Sequence, residues 1–249
     1  MTMNILVTND DGVYSSGIRA LAGEMSKLGN VYIVAPASEK SATSHALTLH
    51  RPLRVKKIGR GPVYAVNGTP TDCVHLALNG LLKIRPQVVV SGINIGPNLA
   101  DDITYSGTVA AAIESTLQGV PAIAVSVVGK GKVYFRASEE IASRLVIRIM
   151  KQALPPNILL NVNVPNLPGN RIRGYRFTRQ GKRKYGDSVV EKLDPRGEKY
   201  YWIGGYLIRE TPIANSDIQA VDEGYISITP IQLDFTAYAF LKGMSGWRL

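Results

Sequence analysis

Only one of the 249 residues is cysteine and only three are histidine. The lone thiol, Cys73, excludes an intrachain disulfide framework, and so few Cys and His side chains exclude a Cys/His zinc cluster. Long apolar runs are also missing. Ile5-Leu6-Val7 is stopped by Asp10-Asp11, too soon for a signal peptide. The longest uncharged stretch, 152–170, holds five asparagines and four prolines and cannot be a membrane-spanning helix. The expected compartment is a reducing cytoplasm, with no membrane partner. Acidic residues are scarce, 19 Asp and Glu against 29 Lys and Arg, a formal net charge of +10. That excess gathers anions without saying which. No zinc finger, RNP aromatic motif or basic helix is present, so no specific nucleic-acid partner is expected. A P-loop and a G-x-G-x-x-G fingerprint are absent as well.

What is there is a chain 45% hydrophobic and 19% charged, with 24 glycines, the composition of an ordinary globular protein. At this length folding buries about 70–75% of the unfolded surface, enough for one large α/β domain or a domain plus an appendage. Short apolar runs alternate with amphipathic stretches up to about residue 165, the pattern of βαβ units around a mostly parallel sheet. Strands are expected at Asn4–Thr8, Val31–Ala35, Leu47–Val55, Val63–Val66, Gln87–Ser91, Ala122–Val127 and Ile158–Val164. Helices are expected at Gly17–Leu28, from Thr69 to Leu82, at Gly107–Gln118 and at Glu139–Ala153. Thr69 suits an N-cap, Pro70 the first helical position and Asp72 the reciprocal capping-box position. The chain is therefore expected to divide into an α/β core at 1–165, which would carry any site, and a basic extension at 166–249, with a strand near 225–230 returning to the body. Between Arg171 and Lys199 ten Lys or Arg stand against four Asp or Glu. This reads as a solvated subunit arm, or as an electrostatic guide for anions through Arg179, Lys182 and Arg183.

Ligands of open α/β sheets bind beyond the carboxyl ends of the strands, and several segments there carry unusual polar residues. The first strand runs into Asn9-Asp10-Asp11-Gly12. Adjacent carboxylates repel unless a positive group lies beside them, and a divalent cation is the usual remedy. An Asp-Gly hairpin would use the same residues, but the following segment reads as a helix, not an alternating strand. The second strand feeds a hydroxyl-rich loop, 37–45, in which Ser41 offers an oxygen to a metal. The alternative for that loop is a plain solvated connection, with His45 a surface histidine. The strand ending at Ser91 leads to Gly92-Ile93-Asn94-Ile95-Gly96-Pro97-Asn98, whose Asn94 and Asn98 amides supply hard oxygens, although such residues also make ordinary turns. Tyr105-Ser106-Gly107-Thr108-Val109 opens a helix whose free N–H groups suit an anion. Gly107 there leaves room for a phosphate, unless Ser106 is merely an N-cap. Oxygen-only ligands favour Mg²⁺ or Mn²⁺ over zinc or copper. A cation opposite a helix N-terminus suits phosphate-ester chemistry. A receiver module also places an acidic pair after its first strand, but the later strand ends here offer Ser91 and Ser126 where that module needs an aspartate. A non-catalytic, basic nucleotide- or nucleic-acid-binding protein is the remaining alternative.

Five stretches, 5–12, 34–36, 68–74, 91–94 and 105–109, together with Ser41-Ala42, closely resemble the SurE (survival protein E) family of metal-dependent 5'/3'-nucleotidases. The likeness continues through Asn161-Val162-Asn163-Val164-Pro165, Thr178-Arg179-Gln180-Gly181 and Ser227-Ile228-Thr229-Pro230. The resemblance implies a Rossmann-like three-layer core with a C-terminal β-rich extension exchanged between subunits, in a homodimer or homotetramer. It implies hydrolysis of nucleoside 5'- and 3'-monophosphates, with short polyphosphate a further substrate. By position, one Mg²⁺ or Mn²⁺ per subunit would be held by Asp10, Asp11, Ser41 and Asn94. Asn9, Asn98, Ser106, Gly107 and Thr108 would line the phosphate. Asp10 would activate water or attack phosphorus, and His45 is a candidate to protonate the leaving oxygen. Where similar proteins read Asn-Leu-Gly, this chain reads Asn98-Leu99-Ala100. If that position has φ > 0, alanine there costs about 1–2 kcal/mol.

Overall fold

Ile5, Leu6 and Val7 are all fully buried, as a strand with apolar residues on both faces must be when helices cover both sides of its sheet. The structure, a computed structural model, describes residues 2–186, 188–204, 207–211 and 213–247. In chain order the strands are β1 Met3–Thr8, β2 Gly29–Pro36, β3 Val55–Lys57, β4 Val63–Val66, β5 Val88–Ile95, β6 Ala122–Val128, β7 Ile158–Pro165, β8 Tyr175–Phe177, β9 Lys182–Tyr185, β10 Ser188–Leu193, β11 Lys199–Gly204, β12 Leu207–Thr211 and β13 Ile226–Gln232. The helices are α1 Ser16–Met25, α2 Pro70–Leu76, α3 Gly107–Leu117, α4 Arg136–Lys151, α5 Asp217–Asp222 and α6 Tyr238–Gly243.

Among the described residues a nine-stranded sheet runs in the order β3-β4-β2-β1-β5-β6-β7-β13-β8. The pairs from β4 through β7 are parallel, while β3 on β4 and β13 on β7 are antiparallel. This is a Rossmann-like α/β fold. One face packs Ile5, Val7, Val88 and Val90 against Ile18, Leu21 and Met25 of α1 and Ile141, Val146 and Ile149 of α4. The other packs Leu6, Val34, Val89 and Ala124 against Cys73 and Val74 of α2 and Val109 and Ala112 of α3. Alternation along β1 thus feeds two cores. The strand order reverses between β1 and β5, which opens a crevice at their carboxyl ends.

Two elements differ in kind, not only in their ends, from the sequence expectation. Residues 47–54 form no strand, and pairing begins only at Val55. Thr48 gives its backbone N–H (2.8 Å) and its hydroxyl (2.6 Å) to the Asp72 carboxylate. Pro52 has no N–H to give, so the donors a ladder needs are spent or missing. The helix expected through Leu82 is α-helical only to Leu76 and continues as a π-type turn, Ala77–Leu81, that opens at Gly80. Its start has the capping box read from Thr69 and Asp72.

Beyond residue 165, β8 and β13 extend the main sheet, β9 pairs with β12, and β10 with β11 form a hairpin. That hairpin leaves Leu193, Trp202 and Ile203 exposed. No helix among the described residues is long and apolar enough to cross a membrane.

Candidate active site

The turn after β1 is built by Asn9. Its side-chain amide donates to Gly12 O (3.1 Å) and to Oγ of Ser15 (2.8 Å), the N-cap of α1. Gly12 has φ +96°, a conformation that favours glycine. Asp10 and Asp11 are thereby presented at the crevice mouth, and Lys40 N–H donates to Asp10 O (2.8 Å), drawing the 37–45 loop onto the turn. Asp10 is buried and Asp11 half-buried.

Burial pushes the Asp10 carboxyl above its ordinary range, against opposing hydrogen bonds from the Thr108 side chain and backbone. Asp11 is raised to about 6, by burial first and then by the neighbouring Asp10 charge, against a hydrogen bond from the Ile95 backbone. Asp11 Oδ2 and Asn9 Oδ1 are buried without a hydrogen-bond partner among the described residues. A cation beside these two adjacent carboxylates would relieve both and satisfy the orphaned oxygen.

Asp10, Asp11, Ser41, Asn94, Asn98 and Ser106 line one cleft of about 310 Å³. Asn94 donates its side-chain amide to Gly96 O (3.0 Å), which leaves its Oδ1 as an acceptor. Ser41 donates its hydroxyl to Glu39 Oε1 (2.6 Å) and keeps lone pairs to offer. Among the described residues no group of three or more His, Cys, Asp or Glu side chains is arranged to hold a metal. A cation here would rest on two carboxylates and two neutral oxygens, a donor set that suits a hard divalent ion.

Thr108 and Gly107 are both buried and serve Asp10. The Thr108 hydroxyl donates to Asp10 Oδ1. A Cβ on Gly107 would lie 2.8 Å from the Asp10 Cβ, so this glycine makes room for Asp10 itself. Ser106 caps α3 by accepting from Val109 N–H (3.1 Å) and lies on the cleft wall. The start of α3 therefore packs against the Asp10 carboxylate.

The family profile described as Survival protein SurE matches residues 5–187. The chain belongs to the SurE family. It is 50% identical over 248 residues to "5'-nucleotidase SurE" of Geotalea daltonii, with 99% of this chain and 100% of that protein covered. Against the protein of the same name from Geobacter sulfurreducens the identity is 53% over 249 residues, covering 99% and 94%. The crystal structure of the SurE protein from Aquifex aeolicus superposes with a TM-score of 0.85 at 41% identity, covering 97% of this chain and 98% of that one.

In this SurE chain the asparagine pair of 161–165 holds Asn98. Asn161 and Asn163 donate to its carbonyl (2.8 and 3.0 Å), Asn163 Oδ1 accepts its N–H (2.9 Å), and Asn98 Nδ2 donates to Ser126 Oγ (2.8 Å). Ala100 has φ +53°, so the left-handed conformation does fall on this alanine. Glu39, Asp102 and Tyr105 also face the cleft, though the sequence assigned them no role. Their segments flank the site in sequence, but which side chains turn inward depends on backbone set from elsewhere. His45 does not line this cleft. It bonds Glu114 (2.9 Å) and borders a separate, mainly apolar cleft of about 620 Å³. Another cleft, of about 640 Å³, lies beside α5 and is lined by Asp222 and Glu223 but by no residue of the turn after β1. Lys182 and Arg183, candidate anion guides, are paired with Asp101 (2.8 Å) and Asp102 (3.0 Å).

Proposed function

We propose that this chain is a metal-dependent phosphomonoesterase that hydrolyses nucleoside 5'- and 3'-monophosphates to nucleoside and phosphate, with short polyphosphate a further substrate. The observation that carries it is the Asp10–Asp11 pair, raised and with an orphaned oxygen, at the strand-order reversal and facing Ser41 and Asn94 across one cleft. The 5'-nucleotidase name carried by relatives at about half identity supports the same substrate class.

Asp10, Asp11, Ser41 and Asn94 would hold one Mg²⁺ or Mn²⁺ per subunit, which supplies positive charge opposite the phosphoryl oxygens as the ester breaks. Asn98, which has a second amide hydrogen to give, and Ser106 hold the phosphate from the other wall. Asn9, Gly107 and Thr108 would act from behind Asp10, Thr108 by fixing its carboxylate. Asp10 takes the proton of the attacking water while the water oxygen bonds to phosphorus and the P–O ester bond breaks. The leaving oxygen is protonated from solvent, since His45 faces the other cleft. The exposed hairpin and the exposed Phe240 and Leu241 of α6 support an assembly in which residues 166–249 exchange between subunits of a homodimer or homotetramer. The single buried Cys73 is in keeping with the cytoplasm.

The test is phosphate release from 5'- and 3'-nucleoside monophosphates and polyphosphate with Mg²⁺, Mn²⁺ or EDTA, for wild type and Asp10→Asn. Release stopped by EDTA and lowered about 10³-fold or more by the substitution is expected. No release from folded, metal-loaded wild type would leave a binding protein instead. A trapped phosphoaspartate would make Asp10 the nucleophile.

A further inference from the structure

The wall of the cleft opposite β1 is held in place by the C-terminal part of the chain. Asn98 and Asp102 stand on it, two residues to either side of Ala100. Ala100 is fully buried at φ +53°, a conformation alanine leaves unless its surroundings fix it. Both of its backbone polar groups are fixed. Its N–H donates to Asp217 Oδ2 (2.8 Å), 117 residues away, and its carbonyl accepts from Gln180 Nε2 (2.9 Å).

Asp217 is fully buried in the first turn of α5, and its other oxygen accepts the N–H of Gly181 and of Ile218 (2.8 Å each). A Cβ on Gly181 would lie 2.7 Å from Asp217 Oδ1, so the glycine of the 178–181 stretch leaves the carboxylate its place. The segment is anchored in turn by Arg179, whose N–H donates to Asn215 O (3.0 Å) and whose carbonyl accepts from Asp217 N–H (2.9 Å). Beyond Gly181, Lys182 Nζ and the Arg183 N–H hold Asp101 (2.8 and 3.1 Å), and the Arg183 guanidinium holds Asp102.

We propose that Asp217 is a positioning residue for the reaction proposed above, clamping Ala100 and Gly181 together so that Asn98 and Asp102 face the substrate. It lines no part of the acidic cleft and acts only through the 98–102 backbone. The proposal rests on the phosphatase reading for its kinetic consequence, but not for its structural one. The four residues proposed to hold the cation lie outside the clamped stretch, so the clamp governs substrate placement and not metal binding. Small misplacements of this kind cost about 100-fold in rate.

The test compares full-length wild type, Asp217→Asn, Gln180→Ala and Asp217→Asn/Ala100→Gly, all Mn²⁺-loaded, on adenosine 5'-monophosphate. Mn²⁺ affinity by calorimetry and backbone amide exchange are measured alongside. Asp217→Asn sets an amide N–H against a backbone N–H. It is expected to lower kcat by about 10- to 100-fold with Mn²⁺ affinity within about threefold of wild type. Amide exchange should quicken at 98–105 and around 181 while β1 and α3 stay protected. Ala100→Gly in that background should recover activity several-fold, because glycine takes φ > 0 unaided. Should Asp217→Asn not fold, Gln180→Ala, at an exposed position, should show the same pattern more weakly. Wild-type kcat in Asp217→Asn, or Mn²⁺ affinity and protection lost throughout in step with kcat, would overturn the proposal. If wild type itself does not turn over the nucleotide, the phosphatase reading fails, and the exchange pattern alone decides the clamp.

Discussion

Ala100 shows how much one methyl group weighs against one backbone angle. At φ +53° its Cβ costs about 1–2 kcal/mol. Against this stand about 0.8 kcal/mol for burying the methyl and about 0.5–1 kcal/mol of extra chain entropy that a glycine would lose on folding. The terms nearly cancel, so Ala100→Gly is expected to stay within about 0.5 kcal/mol of wild type in urea denaturation. Ala111, equally buried but in the middle of α3, has no such compensation, and Ala111→Gly should lose about 2 kcal/mol. Equal losses at both sites would show that the angle carries no penalty. The residues that reach the cleft were legible in sequence where they directly follow a strand, as Asp10 and Asp11 do, because the strand's end fixes their direction. Glu39 and Tyr105 were not, since nothing local orients them. Asp217 had no local signal at all, because its meaning lies in partners 36 and 117 residues away.

Among the elements, α3 carries the most. Its first turn holds Asp10 through Thr108, and two turns later buried Glu114 ties two other segments to it and bonds the residue that caps its own end. Glu114 accepts from His45 (2.9 Å), His75 (2.8 Å) and Gln118 (2.5 Å). Burial alone would raise its carboxyl, but those three bonds outweigh it and bring it to about 2, well below its ordinary 4.5. A depressed carboxyl contributes stability that is complete above 4.5 and lost as the pH falls through about 2. Glu114→Gln should therefore cost about 1–3 kcal/mol at neutral pH. The gap to wild type should narrow steadily below pH 4.5, and thermal melts across that range check both halves. A gap unchanged with pH would mean that the effect is steric. α3 was legible because a serine cap, an apolar face and a glycine stop agree. The stretch 47–54 was misread because its apolar letters alternate while its amides are committed to side chains, which periodicity does not register.

At the scale of the whole molecule, the net charge of +10 should draw anionic substrates in from solution. The value of kcat/KM for a nucleoside monophosphate should fall several-fold as added salt rises from about 0.05 to 0.3 M, with kcat little changed. A flat profile would leave the charge without a role in encounter. Lys182 and Arg183 are poor sites at which to test this, because replacing them also breaks their ion pairs with Asp101 and Asp102. The parallel sheet and its helices were legible as alternating segments. The joining of the extension to the site was not, because it is made by backbone bonds between distant stretches. That joining also sets a clock on synthesis. The acidic pair and its neighbouring oxygens all leave the ribosome within the first 110 residues, whereas Asp217 follows Ala100 by 117 residues. At about 5–20 residues per second that is a wait of about 6–23 s. A nascent chain carries its acidic pair through that interval with the 98–102 wall unclamped, so on the clamp proposed above its full rate waits for the synthesis of residue 217.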